Sequence, residues 1–100
     1  MGYNTRYTFT TIEAPDLNAF RSALSDIAGV DPVTCNDEMN WYDHQGQIKA
    51  AMEASGASVV VLHGEGEDQG DVWDREFRFM DGRVDVKEYR YKLVREEQPT

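Results

Sequence analysis

The chain has 100 residues, 40% of them apolar and 29% charged, with a formal net charge of −9. That size and balance describe a single globular domain over residues 1–100 and exclude a disordered chain. No apolar run reaches the roughly 18 residues needed to cross a bilayer, residues 1–6 lack the apolar stretch of a signal peptide, and Cys35 is the single cysteine. The expectation is a cytoplasmic protein without an internal disulfide. The negative charge would repel phosphates and anionic lipid, which sets direct nucleic-acid binding and membrane association aside. Basic proteins, cations and neutral small molecules remain as partners.

Residues 3–12 alternate as a strand, with Tyr3, Thr5, Tyr7, Phe9 and Thr11 on one face. Pro15 and Asp16 suit the first turn of a helix, and Leu17, Phe20, Leu24 and Ile27 recur at helical spacing as one apolar stripe. Gly29 suits the stop of that helix and Pro32 keeps it from resuming. Residues 30–40 hold the weakest pattern; a short strand fits either 33–35 or 39–42. Asp43 can cap a second helix over 44–55, closed by Gly56, with a thin apolar face of Ile48, Ala51 and Met52. Gly46 weakens it by about 1 kcal/mol relative to Ala.

The run Val59-Val60-Val61-Leu62 reads as a central strand buried on both faces. Residues 64–71 are a turn by composition, residues 72–80 a strand, and Asp81-Gly82 a two-residue hairpin turn. Pairing Met80 with Arg83 puts Phe79 opposite Val84 and Phe77 opposite Val86. It also sets Arg78 against Asp85, Glu76 against Lys87 and Arg75 against Glu88, pairs that a one-residue slip would lose together. A bulge near Lys87-Glu88 would bring Tyr89, Tyr91 and Leu93 onto the face of Val84 and Val86. Residues 95–100 read as a frayed tail. The expected fold is α+β: a mainly antiparallel sheet of four strands, five if residues 30–40 contribute one, with both helices on one face.

The charge is regional. Residues 22–74 hold eleven acids and only Lys49, a net of −10, whereas residues 75–100 carry a net of +1. A solvated surface and an adaptation to high salt are two readings of this excess; an electronegative face that docks on a basic partner is the third.

The Gly-rich run over 64–70 is no phosphate cradle, because Glu65, Glu67 and Asp68 would repel the phosphate. With Asp71 these carboxylates supply hard oxygens for a divalent cation, at a spacing unlike an EF-hand loop. Trp41, Tyr42, Asp43 and His44 form either an aromatic anchor with a helix cap or a recognition patch, which Trp73 would extend. His44, His63 and Cys35 have no metal-ligand spacing, and acid–base pairs of Asp43 with His44 or His63 with Glu65 are conceivable neighbours only. No catalytic residue, metal ligand or cofactor is assigned.

The stretch from Trp41 to Phe77, with Trp41-Tyr42-Asp43-His44, Val59-Val60-Val61-Leu62-His63-Gly64-Glu65-Gly66-Glu67 and Gly70-Asp71-Val72-Trp73, resembles a group of small uncharacterised phage and prophage proteins. The resemblance implies a viral origin and action inside a bacterial cell; it carries no activity. The leading expectation is therefore a non-enzymatic acidic interaction protein of phage type, an inhibitor or nucleic-acid mimic that binds a basic host protein. Its candidate patch is Trp41, Tyr42, Asp43, His44, Glu65, Glu67, Asp68, Asp71 and Trp73. The alternatives are a nucleotide- or small-molecule-sequestering domain gripping anions with Arg75, Arg78 and Arg90, and a metal-dependent hydrolase.

Overall fold

The structure, a computed structural model, describes residues 4–39, 41, 43–66 and 71–91. Along the chain come β1 (Thr5–Glu13), α1 (Leu17–Ala28), β2 (Asn36–Met39), α2 (His44–Ser55), β3 (Val59–Gly66), β4 (Val72–Met80) and β5 (Arg83–Tyr91). The strands form one sheet in the order β2-β1-β3-β4-β5, and every neighbouring pair is antiparallel. The α+β architecture expected from the sequence is the one observed, with the fifth strand present. That strand, β2, falls between the two positions its weak pattern allowed. Asn36, Asp37 and Glu38 are poor strand formers, and cross-strand contacts hold them. Arg6 donates to the Asn36 carbonyl at 2.7 Å and pairs with Glu38 at 3.4 Å. The expected tail at residues 95–100 lies outside the described residues.

Both helices begin at an aspartate, in different ways. Asp16 is the N-cap of α1, its carboxylate accepting from the amides of Asn18 and Ala19, and Pro15 precedes the cap rather than opening the first turn. Asp43 holds the same position before α2 and makes no capping hydrogen bond. Its carboxylate lies over Gly46, where a Cβ would come within 2.6 Å of Oδ1. The glycine that weakens α2 thus makes room for this carboxylate. Phe20 and Leu24 of α1 are fully buried, but the ends of the expected stripe, Leu17 and Ile27, are 43% and 39% exposed. From α2, Ile48, Ala51 and Met52 complete the helical half of the core.

Strand alternation decides which side chains meet the helices. Tyr7, Phe9, Val60, Leu62, Trp73, Phe77, Phe79, Val84 and Val86 share that face. Phe9 and Ile12 would point to opposite faces of a regular strand. A bulge between Phe9 and Thr11 puts Phe9 opposite Leu62 and Ile12 opposite Val60, so both reach the core. It also turns Thr11 away from the face of Tyr7, against the unbroken alternation expected from the sequence. The opposite face of the sheet carries Thr8, His63, Asp74 and Tyr89. Val59 and Val61 lie there too, and the adjoining strands leave Val59 buried and Val61 half-buried without a helix over them.

The β4–β5 hairpin has the register its turn implies, from Met80 opposite Arg83 through Phe77 opposite Val86 to Arg75 opposite Glu88. Asp81 and Gly82 take φ values of 55° and 79°, the two positive angles of a type I′ turn. One expectation fails here. The ladder continues without a bulge to Val72 opposite Tyr91, so Tyr89 and Tyr91 lie on the open face instead of joining the core. The three opposite-charge pairs stand directly across from one another as expected; Arg75 closes on Glu88 at 2.9 Å, while Arg78 turns to Glu76 and Asp85 to Arg83. On a sheet face open to water, a neighbour two residues along competes on equal terms with the one directly across.

β3 also runs three residues further than its composition suggests, because Gly64, Glu65 and Gly66 are strand rather than turn. Gly64 is opposite Trp73, and the indole lies across it so closely that a Cβ would come within 2.2 Å of a ring carbon. Gly64→Ala is expected to lower stability by about 1–3 kcal/mol, the range for overpacking a filled core. Urea denaturation checks this; a loss under about 0.5 kcal/mol, the level of an ordinary surface substitution, would mean that the indole can move aside.

Candidate functional site

The chemistry-bearing residues gather in three places. The first is internal. Tyr7 of β1 meets Trp41 edge-on at 5.4 Å and Trp73 at 6.0 Å, and His44 stacks on Trp73 at 5.7 Å with 19° between the rings. The Arg75 guanidinium sits 4.1 Å above the Trp73 ring and pairs with Glu88. His44 Nδ1 donates to the Trp41 carbonyl at 3.1 Å, so its Nε2 carries the lone pair that accepts from Arg75 Nη1. Burial is the largest influence on His44 and lowers its pKa; the Trp41 carbonyl opposes that shift and the Arg75 charge adds to it. With both ring nitrogens engaged in the interior, His44 is a structural donor and acceptor, and no acid–base pair forms with Asp43.

The candidate patch is therefore divided. Trp41, His44 and Trp73 are buried; Asp43 and Glu65 are exposed. Asp71 is half-buried and pairs with Arg90 at 2.9 Å. Tyr42, Glu67 and Asp68 lie outside the described residues. Among the described residues no three His, Cys, Asp or Glu side chains converge as a metal site. The three arginines that could grip a nucleotide are engaged: Arg75 by Glu88, His44 and Trp73, Arg78 by Glu76, and Arg90 by Glu88 and Asp71.

The second place is the open face of the sheet. His63 lies opposite Asp74, with Nδ1 2.7 Å from Asp74 Oδ1 and Nε2 3.1 Å from Glu65 Oε2. The Tyr91 hydroxyl donates to the other Asp74 oxygen at 2.7 Å. Burial is the largest single influence on His63 and pulls its pKa down, but the hydrogen bonds and charges of Asp74 and Glu65 together outweigh it and raise the value. The imidazolium bridges two carboxylates. The sequence offers His63 and Glu65 as neighbours, and the extended backbone through Glu65 brings them together on one face; Asp74 and Tyr91 join them across the sheet, which no local pattern around His63 shows.

The third place is a groove of about 250 Å³ between the C-terminal end of α1 and β2, walled in part by Val30, Asp31, Cys35, Asp37 and Met39. Arg21 holds Asp31 at 2.8 Å, and Asp37 is exposed and forms no ion pair among the described residues. Cys35 is buried against the Tyr7 carbonyl, which its thiol reaches at 3.4 Å. Burial chiefly raises the pKa of that thiol, and the charges of Asp37 and Asp31 push it further up against a backbone hydrogen bond at Asp37. The thiol is thus unreactive and lies in a negative field. No basic residue stands in the last turn of α1, so the negative end of its dipole adds to that field.

No protein family, curated protein or solved structure matches the chain. No helix among the described residues is long and apolar enough to cross a membrane.

The two histidines give pH dependences of opposite sign. His63 has a raised folded pKa, so its contribution to stability is complete below the unfolded value near 6.5 and is lost as pH rises through the folded value. His44 has a lowered folded pKa, so the unfolded chain takes up its proton first and stability falls as pH drops below that same value. Urea midpoints between about pH 5.5 and pH 8.5, the window of histidine titration, are expected to decline on both sides of a maximum. In His63→Gln the alkaline decline should flatten and the acid decline remain; parallel profiles for variant and wild type would refute the assignment.

Proposed function

We propose that the chain is a non-enzymatic interaction protein that receives a cationic segment of a basic partner at the acidic groove between α1 and β2. One observation carries this reading: Asp37 projects at a sheet edge without an ion pair among the described residues, beside Asp31 and the negative end of α1, over a floor that includes Val30 and Met39. A lysine or arginine suits such a place, with its methylene stem on the apolar floor and its charged head at the Asp37 carboxylate. The regional charge supports the reading as well, since a net of −10 over residues 22–74 draws a basic partner from a distance.

The resemblance of residues 41–77 to phage and prophage proteins supports a bacterial host protein as partner and the host cytoplasm as the place of action. A groove on the host protein built for nucleic acid presents lysines and arginines, and one of these seated at Asp37 would be withdrawn from phosphate. Inhibition by charge mimicry is then the direct consequence of docking.

An oligolysine peptide tests the docking site without knowledge of the natural partner. Titration followed by amide NMR is expected to perturb residues 28–39, with affinity falling as salt rises because exposed charges are screened over about 10 Å at 0.1 M. Asp37→Lys should weaken binding about fivefold, corresponding to roughly 1 kcal/mol, and Asp81→Asn at the hairpin tip should leave it unchanged. Equal weakening by both substitutions would reduce the effect to net charge and overturn the groove as the site.

A further inference from the structure

We infer that β5 is a homodimer edge, and that two copies of this chain join their sheets through antiparallel β5–β5 pairing centred on Val86. Among the described residues β5 pairs on one side only, with β4, over nine residues. The type I′ turn makes Met80 opposite Arg83 the closing hydrogen-bonded pair. Alternation then aims the N–H and C=O groups of Val84, Val86, Glu88 and Arg90 away from β4, and no described backbone group receives them. A row of unpaired backbone groups is a template for another strand.

Charge decides both the partner and the register. Residues 72–91 contain five acids and five bases, so the hairpin is neutral in a chain whose net charge is −9. Repulsion between copies is therefore weakest along this edge. β2, the other edge, is four residues long and carries Asp37 and Glu38, which oppose self-pairing. Centring the two-fold on Val86 puts Asp85 of each copy opposite Lys87 of the other, on the open face. It also puts Arg83 opposite Tyr89 and Val86 against its own counterpart on the helix face. The outward groups of Val84, Val86 and Glu88 then meet those of Glu88, Val86 and Val84, giving about six backbone hydrogen bonds. Centring on Asp85 would oppose Arg83 to Lys87, and centring on Lys87 or Glu88 would oppose that residue to itself. Like charges directly across are unfavourable. Centring on Val84 or on Tyr89 would also gain ion pairs, of Arg83 with Asp85 or of Glu88 with Arg90, but over a shorter overlap of the two strands, so the Val86 register is the one that joins the longest overlap to an ion pair on each side without such a clash. An interface of one strand per copy is small, which makes the dimer a weak and reversible one.

Sedimentation equilibrium of the full chain from about 1 μM to 1 mM, the range in which weak dimers assemble, tests the proposal. Wild type is expected to pass from monomer to dimer. Asp85→Lys and Lys87→Asp should each weaken association at least about tenfold by setting like charges across the two-fold, a loss corresponding to about 1.4 kcal/mol. The double variant Asp85→Lys/Lys87→Asp should restore it. Both side chains are exposed, and circular dichroism confirms that each variant is folded. A monomer at every concentration, a dimer indifferent to both single substitutions, failure of the double variant to recover, or growth beyond a dimer would each overturn the proposal.

Discussion

The contact between Gly64 and Trp73 orders the middle of this molecule. Because Gly64 has no side chain, the indole of Trp73 lies flat across the central strand, and that places its outer surface where Arg75 and His44 can stack on it. Tyr7 and Trp41 pack against the same group from β1 and the chain before α2. The contact thus joins three strands, the start of α2 and the segment that leads to it. Arg75 is tolerated deep in this group because its charge is met by Glu88, by the indole face and by the lone pair of a neutral imidazole. Each partner depends on the others: a charged His44 would repel Arg75, and a displaced Trp73 would leave the guanidinium without its platform.

The same packing explains why the aromatic residues are not a surface patch. A Trp-Tyr-Asp-His run reads equally well as a hot spot or as an anchor, since both use large rings with one polar atom. What separates the two is a distant glycine on the neighbouring strand, and no local pattern around Trp41 reports on it. The hairpin was legible because its information is local: two turn residues set the register, and alternation carried it to Arg75 and Glu88. The helices were legible for the same reason, through spacing and terminal glycines. β2 was not, because its residues do not favour a strand and its place is imposed by Arg6 and the β1 ladder. The sequence pattern suggests a bulge in β5, whereas the structure has one in β1, for a related reason. Tyr89 and Tyr91 look apolar in sequence, yet their hydroxyls reach Glu76 and Asp74, which makes the open face a suitable home for them.

Charge along the sheet follows from its strand order. The acidic middle of the sequence supplies β2 and the helices, and the balanced C-terminal part supplies β4 and β5, so the two edges of one sheet differ in electrostatic character. Folding does not gather every carboxylate onto one surface. Asp31, Glu38 and Asp71 are taken by arginines, and Asp74 and Glu65 by His63. Asp26, Asp37, Asp43 and Glu53 are exposed without ion pairs among the described residues, and of these Asp37 stands at a groove. The docking reading therefore narrows from a broad acidic face to one edge with a defined shape.

The two proposed surfaces lie on opposite edges of the sheet, and this has a consequence for affinity. Pairing through β5 would leave both β2 edges at the far ends of a continuous sheet, each with its groove accessible. A partner that repeats a basic segment, or an assembly of basic subunits, would then be held at two points by a rigid spacer. The second contact is intramolecular once the first has formed, so avidity can exceed single-site affinity by about 10²–10⁴ where the spacing fits. A small chain with weak individual contacts can in this way reach tight binding without a large interface. The requirement is geometric: the span between the two grooves must match the repeat of the partner, and a monomeric partner with a single basic segment would gain nothing from the dimer.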